Sequence, residues 1–338
     1  MVRASSWWSG IGSGIEVGRR SAPFFSNPIP APLWHPRRVS DTPFLLLFHG
    51  QATEAVGMSA GWTGNPAWIA TLEAAEAHVG HPLRRWMAEG PLDVLQAQRH
   101  APFAVLSHSV GLFRAHRAAG MPLPAAATGH SMGFFSALVA AGVVPLEAAL
   151  DLILATEDEA DRRFEPGSMG MAFAIGLREA ELRRRAEAFP GLEVSNVNGT
   201  AQGTVSGLRT DLEAFVASVR PDCLKAGLLP VRHPLHCGLM APLLPFVKDR
   251  LAGVLPADPA FPLLSPLDGR TISDGFEAWE EAIVSIAATI HWPLVVGALR
   301  GFGDRAFECG HGRQLAGLTG WMDRGFPVES LQAPRSWA

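Results

Sequence analysis

A two-part α/β protein is predicted, in which a large parallel-sheet domain is interrupted by a small βαββαβ insertion. Three observations carry this expectation. Short apolar runs alternate with helical patterns before residue 167 and again after 233, as they do when a sheet is covered on both faces. Between 168 and 232 the order changes to strand, helix, strand, strand, helix, strand, a split-βαβ or ferredoxin-like unit. The length of 338 residues also exceeds what one core fills, since single cores stop growing near ~250–300 residues. The expected organisation is therefore an N-terminal extension at 1–42, a large domain from 43–167 and 233–338, and a small subdomain at 168–232.

Each element follows from local pattern. Residues 1–42 are rich in Gly, Pro, Ser and Trp and lack periodicity, which reads as an extension. "FLLLFHG" (44–50) is a continuous apolar run closed by Gly, suiting a buried strand followed by a loop, "HGQATEAVGM". Helical patterns occupy 66–79, 82–87 and 101–119. "PAAATGHS" then forms a small-residue strand, and an apolar run over 134–146 reads as a buried core helix. The insertion comprises "GMAFAIGL", "REAELRRRAEAF", "LEVSNVNG", "QGTVSG", "LRTDLEAFVASVR" and "CLKAGLLPV". After it come a helix in "HPLHCGLMAPLLPFVKDRLAGV", a strand and turn in "PLLSPLDG", a helix over 276–290, and a last strand in "RAFECGHG".

Composition narrows the function. A hydrophobic fraction of 48%, a charged fraction of 18% and a net charge of −4 argue against disorder and against a nucleic-acid-binding surface. Cys223, Cys237 and Cys309 are odd in number and lack a CxxC pair, so neither a disulfide framework nor a metal site is expected. A reducing cytoplasm fits them. The 134–146 run contains Ser136 and Pro145 and stops at Glu147, short of the ~20 residues that span a membrane. No secretory signal is read at the N-terminus, where Gly, Ser, Glu and Arg interrupt any apolar region.

Gly129-His130-Ser131-Met132-Gly133 matches G-x-S-x-G, the nucleophile elbow of α/β-hydrolase-like folds, in which a sharp strand-to-helix turn projects a serine hydroxyl from the sheet edge. A lone match is a weak signal. A small-residue strand enters here and an apolar helix leaves, so the helix N-terminus offers a positive dipole and the Met132 amide to an oxyanion. The bland alternative is a tight turn that packs a helix on a sheet. Such a serine needs a base, and twelve histidines are present. His236 follows the insertion, where it can lean across the cleft towards the elbow. His233, His291 and His311 compete with it, and spacing does not choose among them.

"FHGQATEAVGM", "GHSMGFFSALVAAGVV", "MAFAIGL", "NVNGTAQGTVSG", "LPVRHPLHCGLM" and "FECGHGRQLAGLTG" occur in this order. Over residues 43–322 the chain thereby resembles the malonyl-CoA:acyl-carrier-protein transacylases and the acyltransferase domains of polyketide synthases. The resemblance implies that Ser131 is the nucleophile, that His236 is its general base, and that the amides of Gln51 and Met132 form the oxyanion hole. It implies a histidine oriented by a main-chain carbonyl, matched here near Arg313, and a supporting Asn198. Acyl-CoA would be the donor and an acyl carrier protein the acceptor, with no permanently bound cofactor.

The chain departs from that pattern around the acyl group. Relatives that use malonyl or methylmalonyl groups place an arginine on the helix after the elbow, and the matching position is Thr156. Its neighbours Leu154, Ala155, Glu157 and Asp158 offer no cation either. "GHSMGFF" stands for the common "GHSLGEY", placing Phe134 where an acidic residue is usual. Leu235 replaces serine or phenylalanine before His236, and "GQATE" replaces "GQGSQ". A buried carboxylate without a bidentate partner loses roughly several kcal/mol, so these changes favour an uncharged acyl group or hydrolysis of misprimed carrier-protein thioesters. Arg162 and Arg232 are the substitutes within reach. Two further alternatives are an ordinary hydrolase with the order Ser131, Asp268, His311, which the insertion argues against, and an inactive docking module, which intact Ser131 and His236 argue against.

Overall fold

The computed structural model describes residues 42–97, 99–334 and 337. The expected N-terminal extension therefore lies, but for Thr42, outside the described residues. The strands among the described residues are β1 (Leu45–Phe48), β2 (Ala126–Gly129), β3 (Met169–Ile175), β4 (Leu192–Gly199), β5 (Gln202–Leu208), β6 (Lys225–Leu228), β7 (Leu263–Leu264), β8 (Thr271–Ile272), β9 (Ile290–His291), β10 (Ala306–Cys309) and β11 (Val328–Ser330). They form two sheets.

The first sheet runs β11-β10-β1-β2-β7-β8, parallel except for the β7–β8 pair. Both faces are covered, which explains why β1 is a continuous apolar run: Leu46 and Phe48 face one core, and Leu45 and Leu47 face another. Each such side chain contributes about 1.5–3 kcal/mol on burial. Phe48 is level with Gly129 in the neighbouring strand, and the His130 amide donates to Phe48 O at 3.0 Å. The loops leaving β1 and β2 thus lie side by side at the carboxyl ends of adjacent parallel strands, where open α/β sheets place their sites.

The second sheet runs β6-β3-β5-β4-β9. Helices Glu179–Ala186 and Arg209–Val219 bury Leu182, Leu212, Phe215 and Val219 against Ala172, Ala174, Val194 and Val205, following the two-residue alternation of strands. Register shifts occur between Val194 and Asn196 and between Val197 and Gly199, bulges of the kind that re-aim side chains. The fifth strand, β9, comes from later in the chain and pairs in parallel with β4, Asn196 level with Ile290. Thr289 Oγ1 adds a bond to Val194 O at 3.0 Å.

Several expected elements need correction, among them the helix over 276–290, which ends at Ser285. The 134–146 run is two helices, Gly133–Ala140 and Leu146–Arg163, because Gly142 turns left-handed at φ 77° and Pro145 precedes the second helix. The segment after His236 begins as a 3-10 helix, Gly238–Leu243, before the α-helix Leu244–Arg250, since Pro242 and Pro245 lack the amides an α-helix requires. "RAFECGHG" is followed by a further strand, β11. No helix among the described residues is long and apolar enough to cross a membrane.

Candidate active site

The elbow is set by steric necessity. A Cβ on Gly129 would lie 1.9 Å from the Gly133 carbonyl carbon, and one on Gly133 would lie 2.1 Å from Phe48 O. Only glycine fits either place. Between them Ser131 is held at φ 57°, a left-handed conformation that costs a non-glycine residue of order 1–3 kcal/mol. The helix Gly133–Ala140 begins immediately behind it.

His236 is the histidine that meets this serine. Its Nε2 lies 2.6 Å from Ser131 Oγ, and its Nδ1 lies 2.6 Å from Ser285 O. A carbonyl only accepts, so Nδ1 carries the proton and Nε2 is left to accept from the serine hydroxyl. The His236 amide donates to Ile286 O at 2.7 Å, and the residue itself sits at φ 62°. Helix Gly275–Ser285 ends here, and the last carbonyls of a helix have no partner within it. Those orphan acceptors fix the ring, and the negative end of the helix favours an imidazolium. Burial lowers the His236 pKa to about 4, against the raising effect of the Ser285 carbonyl.

The carbonyl facing Nδ1 is thus that of Ser285, which corrects the expectation near Arg313. Arg313 precedes helix Gln314–Met322 and its guanidinium reaches Val328 O at 3.4 Å. Asn198 accepts from His130 Nε2 at 2.7 Å, so it holds the elbow's own histidine rather than His236. Burial drives the His130 pKa to about 4, with the Asn198 bond opposing. The competitors lie elsewhere: His233 Nε2 is 3.2 Å from Asp161 Oδ1, and His291 Nε2 is 3.1 Å from Glu179 Oε2. The order Ser131, Asp268, His311 is not assembled, because Asp268 turns to Arg270.

Gln51 and Met132 border the same groove as Ser131 and His236, and among the described residues neither amide donates to a backbone partner. The loop carrying Gln51 is fastened through its neighbour: His49 Nε2 and Glu308 Oε2 are 2.9 Å apart, both fully buried. That carboxylate also accepts from Leu315 N at 2.9 Å and Ala316 N at 3.1 Å. A Cβ on Gly310 would come 2.5 Å from the His49 ring. Ser285, His49 and Glu308 carry no motif that sequence reasoning could weigh, although "FECG" does mark a charge inside an apolar strand.

The groove is walled by Pro102, Phe135, Ile153, Thr156, Leu235 and Ile286. Thr156 and Leu235 are therefore where selectivity was expected. Phe134 is not: it is fully buried in the core, and the next residue, turned ~100° around the helix, faces the groove instead. Thr156 Oγ1 donates to Leu152 O at 2.8 Å, so its hydroxyl is engaged on its own helix. The arginines nearby point away. Arg99 binds Asp158 and Asp161, Arg232 binds Asp161, Arg250 binds Asp158, and the exposed Arg162 binds Glu159.

Residues 46–271 match the acyl transferase domain family. The chain is 30% identical over 284 residues to the malonyl CoA-acyl carrier protein transacylase of Salmonella typhimurium, covering 82% of this chain and 92% of that one. It is 29% identical over 303 residues to the Escherichia coli protein of the same name, covering 88% and 98%. Its fold matches the crystal structure of an acyl-carrier-protein S-malonyltransferase from Burkholderia pseudomallei with a TM-score of 0.81 at 28% identity, over 87% of this chain and 98% of that one. The matched segment includes β1, the elbow and His236, and on that ground the chain belongs to the acyl transferase domain family, an acyltransferase similar to the malonyl-CoA:acyl-carrier-protein transacylases.

Proposed function

We propose that the protein moves an acyl group from coenzyme A to the phosphopantetheine thiol of an acyl carrier protein, with Ser131 as the residue acylated. Ser131 Oγ attacks the thioester carbonyl while its proton passes to His236 Nε2. The Gln51 and Met132 amides hold the oxyanion. The C–S bond breaks, the imidazolium returns its proton to the leaving thiolate, and coenzyme A departs. His236 then takes the carrier thiol's proton, the thiolate attacks the ester, and Ser131 recovers its proton as the acyl thioester leaves. The donor and acceptor classes are those after which the similar transacylases are named.

The observation that carries this reading is the 2.6 Å contact between Ser131 and a histidine whose far nitrogen is fixed on a carbonyl. Among the described residues that line the groove none is Lys or Arg, which supports an acyl group without a free carboxylate. We read the chain as a large α/β-hydrolase-like domain, 43–167 and 233–338, carrying a ferredoxin-like insertion at 168–232, working in a reducing cytoplasm that suits its free cysteines. Intact-mass measurement after incubation with acyl-CoA, with and without carrier protein, tests the function. A serine adduct that Ser131→Ala removes and carrier protein discharges is expected. Discharge to water at the same rate without carrier would make the protein a thioester hydrolase.

A further inference from the structure

Gln51 lies on a loop held in a shape that its residues do not favour. Ala52, the next residue, sits at φ 68°, a left-handed conformation in which the Cβ of any residue but glycine crowds the backbone. It takes the place of the second glycine in the related "GQGSQ" pattern. Such a conformation persists only where the surroundings impose it. Thr53 Oγ1 donates to Gly50 O at 3.0 Å, closing the turn around Gln51 and Ala52. Gly50 is pressed on the elbow, where a Cβ would lie 2.6 Å from His130 O, so the loop and the Ser131 turn are in direct contact. The third constraint is His49. Its amide donates to Cys309 O at 3.1 Å, and its Nε2 donates to Glu308 Oε2 at 2.9 Å, since a carboxylate only accepts. His49 Nδ1 has no partner among the described residues, so this is the imidazole's one hydrogen bond. The carboxylate is fixed in turn by the Leu315 and Ala316 amides in the first turn of helix Gln314–Met322, where negative charge is favoured.

Resting on the reading that the Gln51 amide forms half of the oxyanion hole, we propose that Glu308 and His49 are positioning residues for that amide. They hold the loop so that Ala52 keeps its left-handed turn and the Gln51 amide faces the thioester carbonyl that Ser131 attacks. Neither side chain touches the substrate, as both are fully buried. Once the imidazole is released from Glu308, Ala52 relaxes towards an ordinary conformation and swings the residues before it, the Gln51 amide among them. The oxyanion forms only as the thioester is attacked, so a displaced amide slows acylation without weakening the binding of acyl-CoA.

The test is single-turnover acylation of Ser131 by butyryl-CoA, followed by rapid quench and intact mass. The rate constant reports on folded molecules and the amplitude counts them, so partial misfolding of a variant does not mimic the effect. His49→Ala and Glu308→Ala are expected to lower the rate constant at saturation by about 10–100-fold, with the half-saturating concentration within about twofold of wild type. Glu308→Gln keeps an acceptor for the imidazole and should lose at most about fivefold. Ala52→Gly removes the Cβ conflict of the left-handed turn, so His49→Ala/Ala52→Gly should recover about tenfold over His49→Ala. Rate constants within about twofold of wild type in both alanine variants, or a double variant no faster than His49→Ala, would overturn the positioning role and leave the acyl-serine reading standing. A loss carried by the half-saturating concentration would instead overturn the reading of Gln51, and a wild type without any adduct on Ser131 would remove the acyl-serine reading itself.

Discussion

The Ser131–His236 corner and the groove beside it share a wall at Ser131 but are built differently. Around Ser131 and His236 nearly every constraint is main chain: two glycines with no room for a Cβ, two residues at positive φ, and two carbonyls at a helix end. In the groove the constraints are side chains, namely Thr156, Leu235 and Phe135. Chemistry fixed by backbone resists drift, while selectivity set by side chains changes with one substitution. This division would let selectivity change at Thr156 or Leu235 while the geometry of Ser131 and His236 stays the same.

The contrast can be broken first at the base. His236→Ala should lower the rate of Ser131 acylation by about 10²–10⁴-fold, measured by stopped acyl-enzyme formation, with the thermal midpoint less affected. Gly133→Ala should instead act through the fold, because its Cβ would collide with Phe48 O. A destabilisation of about 4 kcal/mol or more is expected by denaturant titration, and an ordinary midpoint would show that the corner yields. On the groove side, Thr156→Arg should raise malonyl-CoA acylation relative to butyryl-CoA by about tenfold, without altering the Ser131–His236 contact.

Acid separates the two regions differently. His236 must be neutral to accept the serine proton, so acylation should hold on the neutral side and fall as pH drops towards about 4. Stability has its own window. His108, His130 and His236 have folded-state pKa values lowered to about 3, 4 and 4 by burial, so the unfolded chain binds more protons below about 6.5. Their contribution is complete above that pH and is lost as pH falls from 6.5 towards 4, with a slope of at most ~1.4 kcal/mol per pH unit for each. Melting temperature against pH checks the sign. The smallest effect is reserved for Arg313→Ala, which should leave acylation within about twofold of wild type, as its 3.4 Å bond to Val328 O predicts.

How much of this was legible in the sequence divides along the same line. G-x-S-x-G is a side-chain pattern, and Ser131 does sit on a tight turn between β2 and the helix Gly133–Ala140. Ser285 was not legible, because a carbonyl oxygen belongs to every residue and its role depends on where a helix stops. The expectation over 276–290 carried that helix five residues too far, past the carbonyls that matter. Phe134 and Phe135 could not be separated without the helix phase that a tight elbow imposes. The His49–Glu308 pair joins residues 259 positions apart, beyond any local pattern.

Residues 285–291 link these parts in one short span. At one end, Ser285 O holds the imidazole; at the other, β9 extends the sheet that carries Asn198. A displacement of that sheet would therefore reach the proton acceptor within a few residues. Prising the two sheets apart would unseat the imidazole of His236 from Ser285 O.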